Sequence, residues 1–281
     1  MRRQVKQGEV VRELLPGQSA ELLKELHLLT RDGDLNADSL RKLKQVNHLV
    51  RLIAPAVEDV LSRFADPVIV DCGAGKGYLG FILHELFVGP AGKGTILAVE
   101  SRPELVESTR AIARRLGYQR IHFVPEMVSR ADLPARVHLV TALHACDTAT
   151  DDALLVAARH NADHVAVVPC CQAEVARQLE EGKGTSATFL DLSRHPWHRR
   201  EFGSHLTNVI RVLALEALGY RVTVTELAGW EHSLKNELLL GRKVRGESRP
   251  ARERLEALLA DSGVRPKLVR ELFGRVPAPA L

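Results

Sequence analysis

What the 281-residue sequence lacks narrows its class before any motif is read. No apolar run approaches the ~18 uninterrupted residues of a membrane-spanning helix, and the opening MRRQVKQGEVVREL carries charges where a signal peptide needs an apolar stretch. The chain therefore reads as soluble and cytoplasmic, with no membrane partner. Only four cysteines are present, Cys72, Cys146, Cys170 and Cys171, two of them adjacent. That number excludes a disulfide framework and fits a reducing compartment. No C-x-x-C spacing occurs and adjacent cysteines rarely ligate one metal together, so no metal is expected.

What remains is an ordinary globular composition, 45% apolar and 26% charged, which excludes general disorder and collagen. The length suffices for one large domain with extensions or two small ones. The net charge of +4 is uneven: residues 194–281 hold 16 Lys and Arg against 10 Asp and Glu, whereas residues 64–193 hold 12 against 16. A basic C-terminal third suits a polyanionic partner, and equally a solvated Arg-rich helical surface.

Residues 9–64 read as helical. From Asp38, a plausible N-cap, Leu40, Leu43, Val46, Val50 and Ile53 recur three or four apart in one apolar stripe. Arg41, Lys42, Lys44, His48 and Arg51 occupy the other side, and Pro55 is expected to kink or restart the helix. From residue 67 short apolar runs take over: 67–71, 95–100, 120–124, 137–143 and 164–169, with amphipathic segments near 78–87, 103–116, 149–160 and 172–181 between them. Strand, helix, strand at this spacing means βαβ units and a parallel sheet covered on both faces. A polar loop is expected over 183–200 and a helix over about 205–218. YRVTVTEL and NELLLGRKV follow, too close for a crossover helix and so antiparallel. The expected fold is α/β: a Rossmann-like, seven-stranded, mostly parallel sheet with an antiparallel hairpin, similar in layout to class I methyltransferases. The expected divisions are a helical extension over 1–64, the sheet domain over 65–244 and a helical tail over 245–281.

The sharpest local signal is VIVDCGAGKGYLG, residues 68–80. A buried strand ends at Asp71, and Gly73, Gly75 and Gly77 turn the chain into a helix, leaving its backbone open to a ligand. A dinucleotide fingerprint requires a third glycine at position 78, where Tyr78 stands. The pattern D-x-G-x-G-x-G, with Glu100 after the next strand to accept ribose hydroxyls, favours S-adenosyl-L-methionine, whose cationic amino group suits Asp71.

VDCGAGKGYLG, LVTALHACDTATDDAL, VAVVPCCQ, HLTNVIRVLALEALGY and KNELLL together resemble a methyltransferase-domain family that includes eukaryotic tRNA ribose 2′-O-methyltransferases, over roughly residues 40–243. The resemblance implies the class I fold, S-adenosyl-L-methionine as donor and RNA, tRNA or rRNA, as acceptor. By that resemblance Asp71, Gly73, Gly75, Glu100 and Ser101 hold the cofactor, with Ala74, Tyr78 and Leu143 in the same pocket. A protein or small-molecule acceptor, or a non-catalytic module, are the competing readings.

In this topology Cys72, His144, Cys146, Asp147, Pro169, Cys170 and Cys171 share one rim beyond the strand ends. His144 or Asp147 is the candidate general base, with Asp147 equally placed to cap the following helix. Cys72 reads as a small apolar residue, and Cys170 as a possible thiolate nucleophile. The loop 192–208 offers Trp197, Arg199 and Arg200 for stacking and phosphate contacts, or serves only as a charged connector. Lys235 and Asn236, at a loop-to-strand junction, either face the acceptor or end a hairpin.

Overall fold

Seven apolar segments, each too short for a buried helix, pair into one mixed sheet: β1 Val68–Cys72, β2 Thr95–Val99, β3 Ile121–Val124, β4 Leu139–Leu143, β5 His164–Val168, β6 Tyr220–Glu226 and β7 Glu237–Lys243, in the order β3-β2-β1-β4-β5-β7-β6. The computed structural model describes residues 13–30, 32, 37–143, 147–169, 172–227 and 237–274. The first five strands run parallel, and β7 is antiparallel to both β5 and β6. All five residues of β5 are buried, as a central strand covered on both faces requires.

The register fixes where the strands stop. Cys72 pairs with Val99, Val99 with Val124, Asp71 with Thr141 and Leu143 with Val168. β1, β2, β4 and β5 thus end within about one residue of the same level, and their ends form one rim.

The α-helices of six residues or more among the described residues are α1 Ala20–Glu25, α2 Ala37–Arg63, α3 Tyr78–Leu83, α4 Pro103–Arg115, α5 Thr148–Arg159, α6 Glu174–Glu181, α7 Ala187–Ser193, α8 Pro196–Ala217, α9 Arg249–Ser262 and α10 Lys267–Phe273. After α3 a π turn, His84–Val88, and a last turn, Gly89–Ala91, carry the chain to β2. Alternate strand residues face opposite layers. Ile69, Ile96 and Ala98 pack with Leu43, Val50 and Ile53 of α2 and Phe81 of α3. Val70, Cys72 and Val99 pack with Leu154 of α5, Ile210 of α8 and Leu255 of α9. Each such fully buried Leu or Ile contributes about 1.5–3 kcal/mol.

The N-terminal segment is tied to the sheet layer through the π turn. The Ser19 N–H and hydroxyl both donate to Glu85, at 3.0 and 2.5 Å, and the Tyr118 hydroxyl donates to the same carboxylate at 2.9 Å.

Three expectations are corrected. Pro55 lies inside a continuous α2 and does not restart it. Asp38 falls within that helix, which starts at Ala37. The 183–200 segment is not a loop: it contains α7 and the start of α8, with Pro196 in the first helical turn, where its fixed φ suits the helix and its missing N–H costs nothing. Gly203 sets how closely α8 approaches α6, because a Cβ there would lie 2.8 Å from the Ala176 Cβ.

Gly203→Ala is therefore expected to push α8 off α6 and to lower stability by about 1–3 kcal/mol, the usual cost of overpacking. Urea unfolding measures it. An unchanged midpoint would mean that this approach is not tight in solution.

A glycine turn and a polar rim at the strand ends

The turn after β1 is built from left-handed backbone. Gly73, Gly75 and Gly77 have φ of 67°, 58° and 72°, a region where side chains are strained. The turn is pinned on three sides: Ala74 N–H donates to the Val99 carbonyl at 3.0 Å, Gly75 N–H to the Glu100 carboxylate at 2.9 Å, and Gly77 N–H to the Ala74 carbonyl at 2.8 Å. A Cβ on Gly75 would have only an Arg102 guanidinium nitrogen and the Gly73 carbonyl near it, both at 3.9 Å. The backbone of the turn is consequently open at Gly75, whereas Gly77 is buried and a Cβ on it would meet the Phe81 ring at 3.0 Å.

Asp71 lies beneath this turn. It is 2% exposed, and its carboxylate accepts from the Thr141 hydroxyl at 2.9 Å and from the Gly80 N–H. Burial pushes its carboxyl up to about 7, against the opposing pull of those two donors. The carboxylate therefore joins β1, β4 and α3. Cys72 beside it is fully buried, its thiol pushed up by burial, which fits a small apolar residue.

Glu100 follows β2 and is 5% exposed. Besides the Gly75 N–H, its carboxylate accepts from the Arg102 N–H at 3.0 Å and from the Arg102 guanidinium at 2.9 and 3.2 Å. Burial raises its pKa, but these donors outweigh it and hold the carboxylate below its ordinary range. An ionised carboxylate beside an open turn suits a ribose diol. Arg102, which sequence reasoning missed, now occupies that carboxylate. Its side chain is 59% exposed and free to swing away. Ser101 is exposed, and Tyr78 and Leu143 are half-buried at the same end of the sheet. Three glycines without Cβ atoms, an ionised Glu100 and partly exposed Tyr78 and Leu143 fit an adenosyl nucleoside.

Asp147 corrects an expectation. Its side chain makes no cap on α5, the helix it precedes. Instead the carboxylate accepts from Ala173 N–H at 3.0 Å and Glu174 N–H at 3.4 Å, capping α6 across the rim, with Arg177 at 3.6 Å. Its backbone has φ 48° and ψ −120°, a strained conformation for a residue with a side chain. Arg211 holds it there: the guanidinium donates to the Asp147 carbonyl at 2.9 Å, to Asp151 at 2.7 Å and to Asn208 at 3.2 Å. Arg211 is 1% exposed, so breaking this ion pair would leave a buried charge at a cost of about 3–5 kcal/mol. A charged residue inside the apolar stripe of NVIRVL was the readable signal for it.

Of the proposed acceptor residues, Trp197 is 60% exposed and carries the Arg200 guanidinium 4.3 Å above its ring. Arg199 is bound to Glu180 at 2.6 Å with its side chain 18% exposed, and so ties α8 to α6. His144, Cys146, Cys170, Cys171, Lys235 and Asn236 lie outside the described residues. Among the described residues no three His, Cys, Asp or Glu cluster to hold a metal, and no helix is long and apolar enough to cross a membrane.

Residues 41–178 match the family model described as a methyltransferase domain. A comparison with curated proteins finds no match. Among solved structures the chain is similar to the magnesium protoporphyrin IX methyltransferase of Synechocystis crystallised with SAH, at 14% identity and TM-score 0.49 over 79% of this chain and 94% of that one. It is also similar to an rRNA methylase from Streptococcus thermophilus, at 12% and 0.45 over 70% and 96%. A third is the precorrin-6y C5,15-methyltransferase of Geobacter metallireducens, at 16% and 0.41 over 68% and 88%.

The buried Asp71 generates a pH prediction. Its folded pKa lies above its unfolded value of 3.8, so the folded state holds the extra proton between about pH 4 and 7. This group's contribution to stability is greatest below pH 4 and is lost as pH rises toward 7. Urea unfolding from pH 4.5 to 8 should show a steeper loss in the parent than in Asp71→Asn. Parallel curves would refute a protonated Asp71.

Proposed function

We propose that this S-adenosylmethionine-dependent methyltransferase takes RNA as its acceptor. The observation that carries the reading is Trp197. It is one of two tryptophans in the chain, yet it stands 60% exposed with Arg200 stacked on it. An indole left in water forgoes the burial that a core would give it. An exposed aromatic beside a guanidinium is what single-stranded nucleic acid uses, each stacked base contributing about 1–3 kcal/mol. Trp197 is eleven residues, or about 16 Å along α8, from Asn208 at the sheet end, so a strand of a few nucleotides spans the interval. The excess of Lys and Arg over Asp and Glu in residues 194–281 supports the same reading.

The donor supplies a methyl carbon already bonded to a cationic sulfur, so no protein group has to activate it. Gly73, Ala74, Gly75 and Glu100, with Ser101, Tyr78 and Leu143 beside them, hold the nucleoside. The rim has to orient the acceptor and accept its proton. Asp147 spends its carboxylate on the start of α6 and on Arg177, which leaves His144, next in sequence after Leu143, as the candidate base. With Asp147 engaged, we assign Cys170 no chemical step.

Incubation with labelled donor and total RNA, followed by digestion to nucleosides, should yield one labelled nucleoside. Trp197→Ala should lower that labelling by about tenfold or more, with donor affinity by calorimetry unchanged and parent RNA binding falling steeply with salt. Label appearing only in protein or small molecules would contradict the proposal.

A further inference from the structure

We infer that the cleft beyond β5 and β7 receives a base of the acceptor RNA through an edge bearing an exocyclic amino group, an inference that rests on the RNA reading above. The cleft measures about 210 Å³, below the ~300 Å³ typical of a drug-sized ligand, and so suits one ring system. Pro169, directly after β5, and Glu237, the first residue of β7, bound it at the strand ends, and Gln172 together with α8 supplies the remaining wall.

Its polar atoms are oriented by a continuous hydrogen-bond chain. Asn208 is 4% and Gln172 6% exposed. The Asn208 amide oxygen accepts from Gln172 at 3.1 Å and from Arg211 at 3.2 Å, which uses both of its lone pairs. The Asn208 amide donates to Glu237 Oε2 at 2.7 Å, and the Ser204 hydroxyl donates to Gln172 at 2.7 Å. Because Arg211 is itself clamped by Asp151, neither amide is free to flip. Glu237 therefore presents its other oxygen, Oε1, which has no hydrogen bond among the described residues.

Glu201, which accepts from Arg200 at 3.0 Å, adds a second carboxylate to the wall one turn before His205. With Glu201 paired to Arg200, the Glu237 carboxylate is the group that calls for a ligand that donates. Adenine, cytosine and guanine each present an amino group, and a carboxylate is the ordinary partner of such an edge. Uracil carries a carbonyl in place of cytosine's amino group, so Glu237 would meet an acceptor there, with the ring N3–H the base's one donor.

The test measures binding of labelled short single-stranded oligo(A), oligo(C) and oligo(U) to the full chain saturated with S-adenosylhomocysteine. An oligomer of purine riboside, which is adenosine without its amino group, is the fourth probe. Oligo(A) and oligo(C) should bind about tenfold tighter than oligo(U), and oligo(A) tighter than the purine riboside oligomer by a similar factor. In Glu237→Gln the new carbonyl can keep the Asn208 bond while the new amide turns a donor to the cleft, so the preference should shift toward oligo(U). Calorimetry with S-adenosylhomocysteine checks that the variant is folded, and the purine riboside comparison needs no variant. Equal binding of all four probes overturns this inference and leaves the RNA reading intact. No binding of any probe by protein that still binds S-adenosylhomocysteine overturns both.

Discussion

A single buried carboxyl group sets the geometry on which the site depends. Asp71, the penultimate residue of β1, lies between the Thr141 hydroxyl of β4 and the Gly80 N–H of α3, and so fixes two strands and a helix around one point. Burying it is costly, as its elevated pKa records. The turn that follows leaves its backbone open at Gly75.

The second constraint couples the two loops at which chemistry is expected. β4 and β5 end side by side, Leu143 paired with Val168. Asp147 bridges them by capping α6, and Arg211 reaches from α8 to hold Asp147 in its strained backbone. The same guanidinium orients Asn208 and, through it, Glu237. A helix remote in sequence therefore positions the rim of β4, the start of α6 and the wall of the adjoining cleft, all through the buried pair Arg211–Asp151.

The sheet was legible because its signal is local. Short apolar runs spaced by amphipathic segments mark every strand within a residue or two, and D-x-G-x-G-x-G marks the turn. The first turns of α8 escaped because that stretch projects past the sheet end and needs no apolar stripe, so WHRREF reads as loop. The target of Asp147 escaped because a cap is sought on the helix that follows in sequence, whereas here the free N–H groups lie 26 residues away. Arg102 over Glu100 is only two residues off, but nothing in SRPEL says which way a long side chain folds.

Whether the glycine turn and Glu100 seat the nucleoside of the methyl donor is decided by a crystal structure of the full chain with S-adenosylhomocysteine. Both ribose hydroxyls are expected on the Glu100 carboxylate, with Arg102 swung out of its present contact and the ligand lying over Gly73 and Gly75. A ligand bound elsewhere, with the Arg102–Glu100 pair still closed, would contradict this placement.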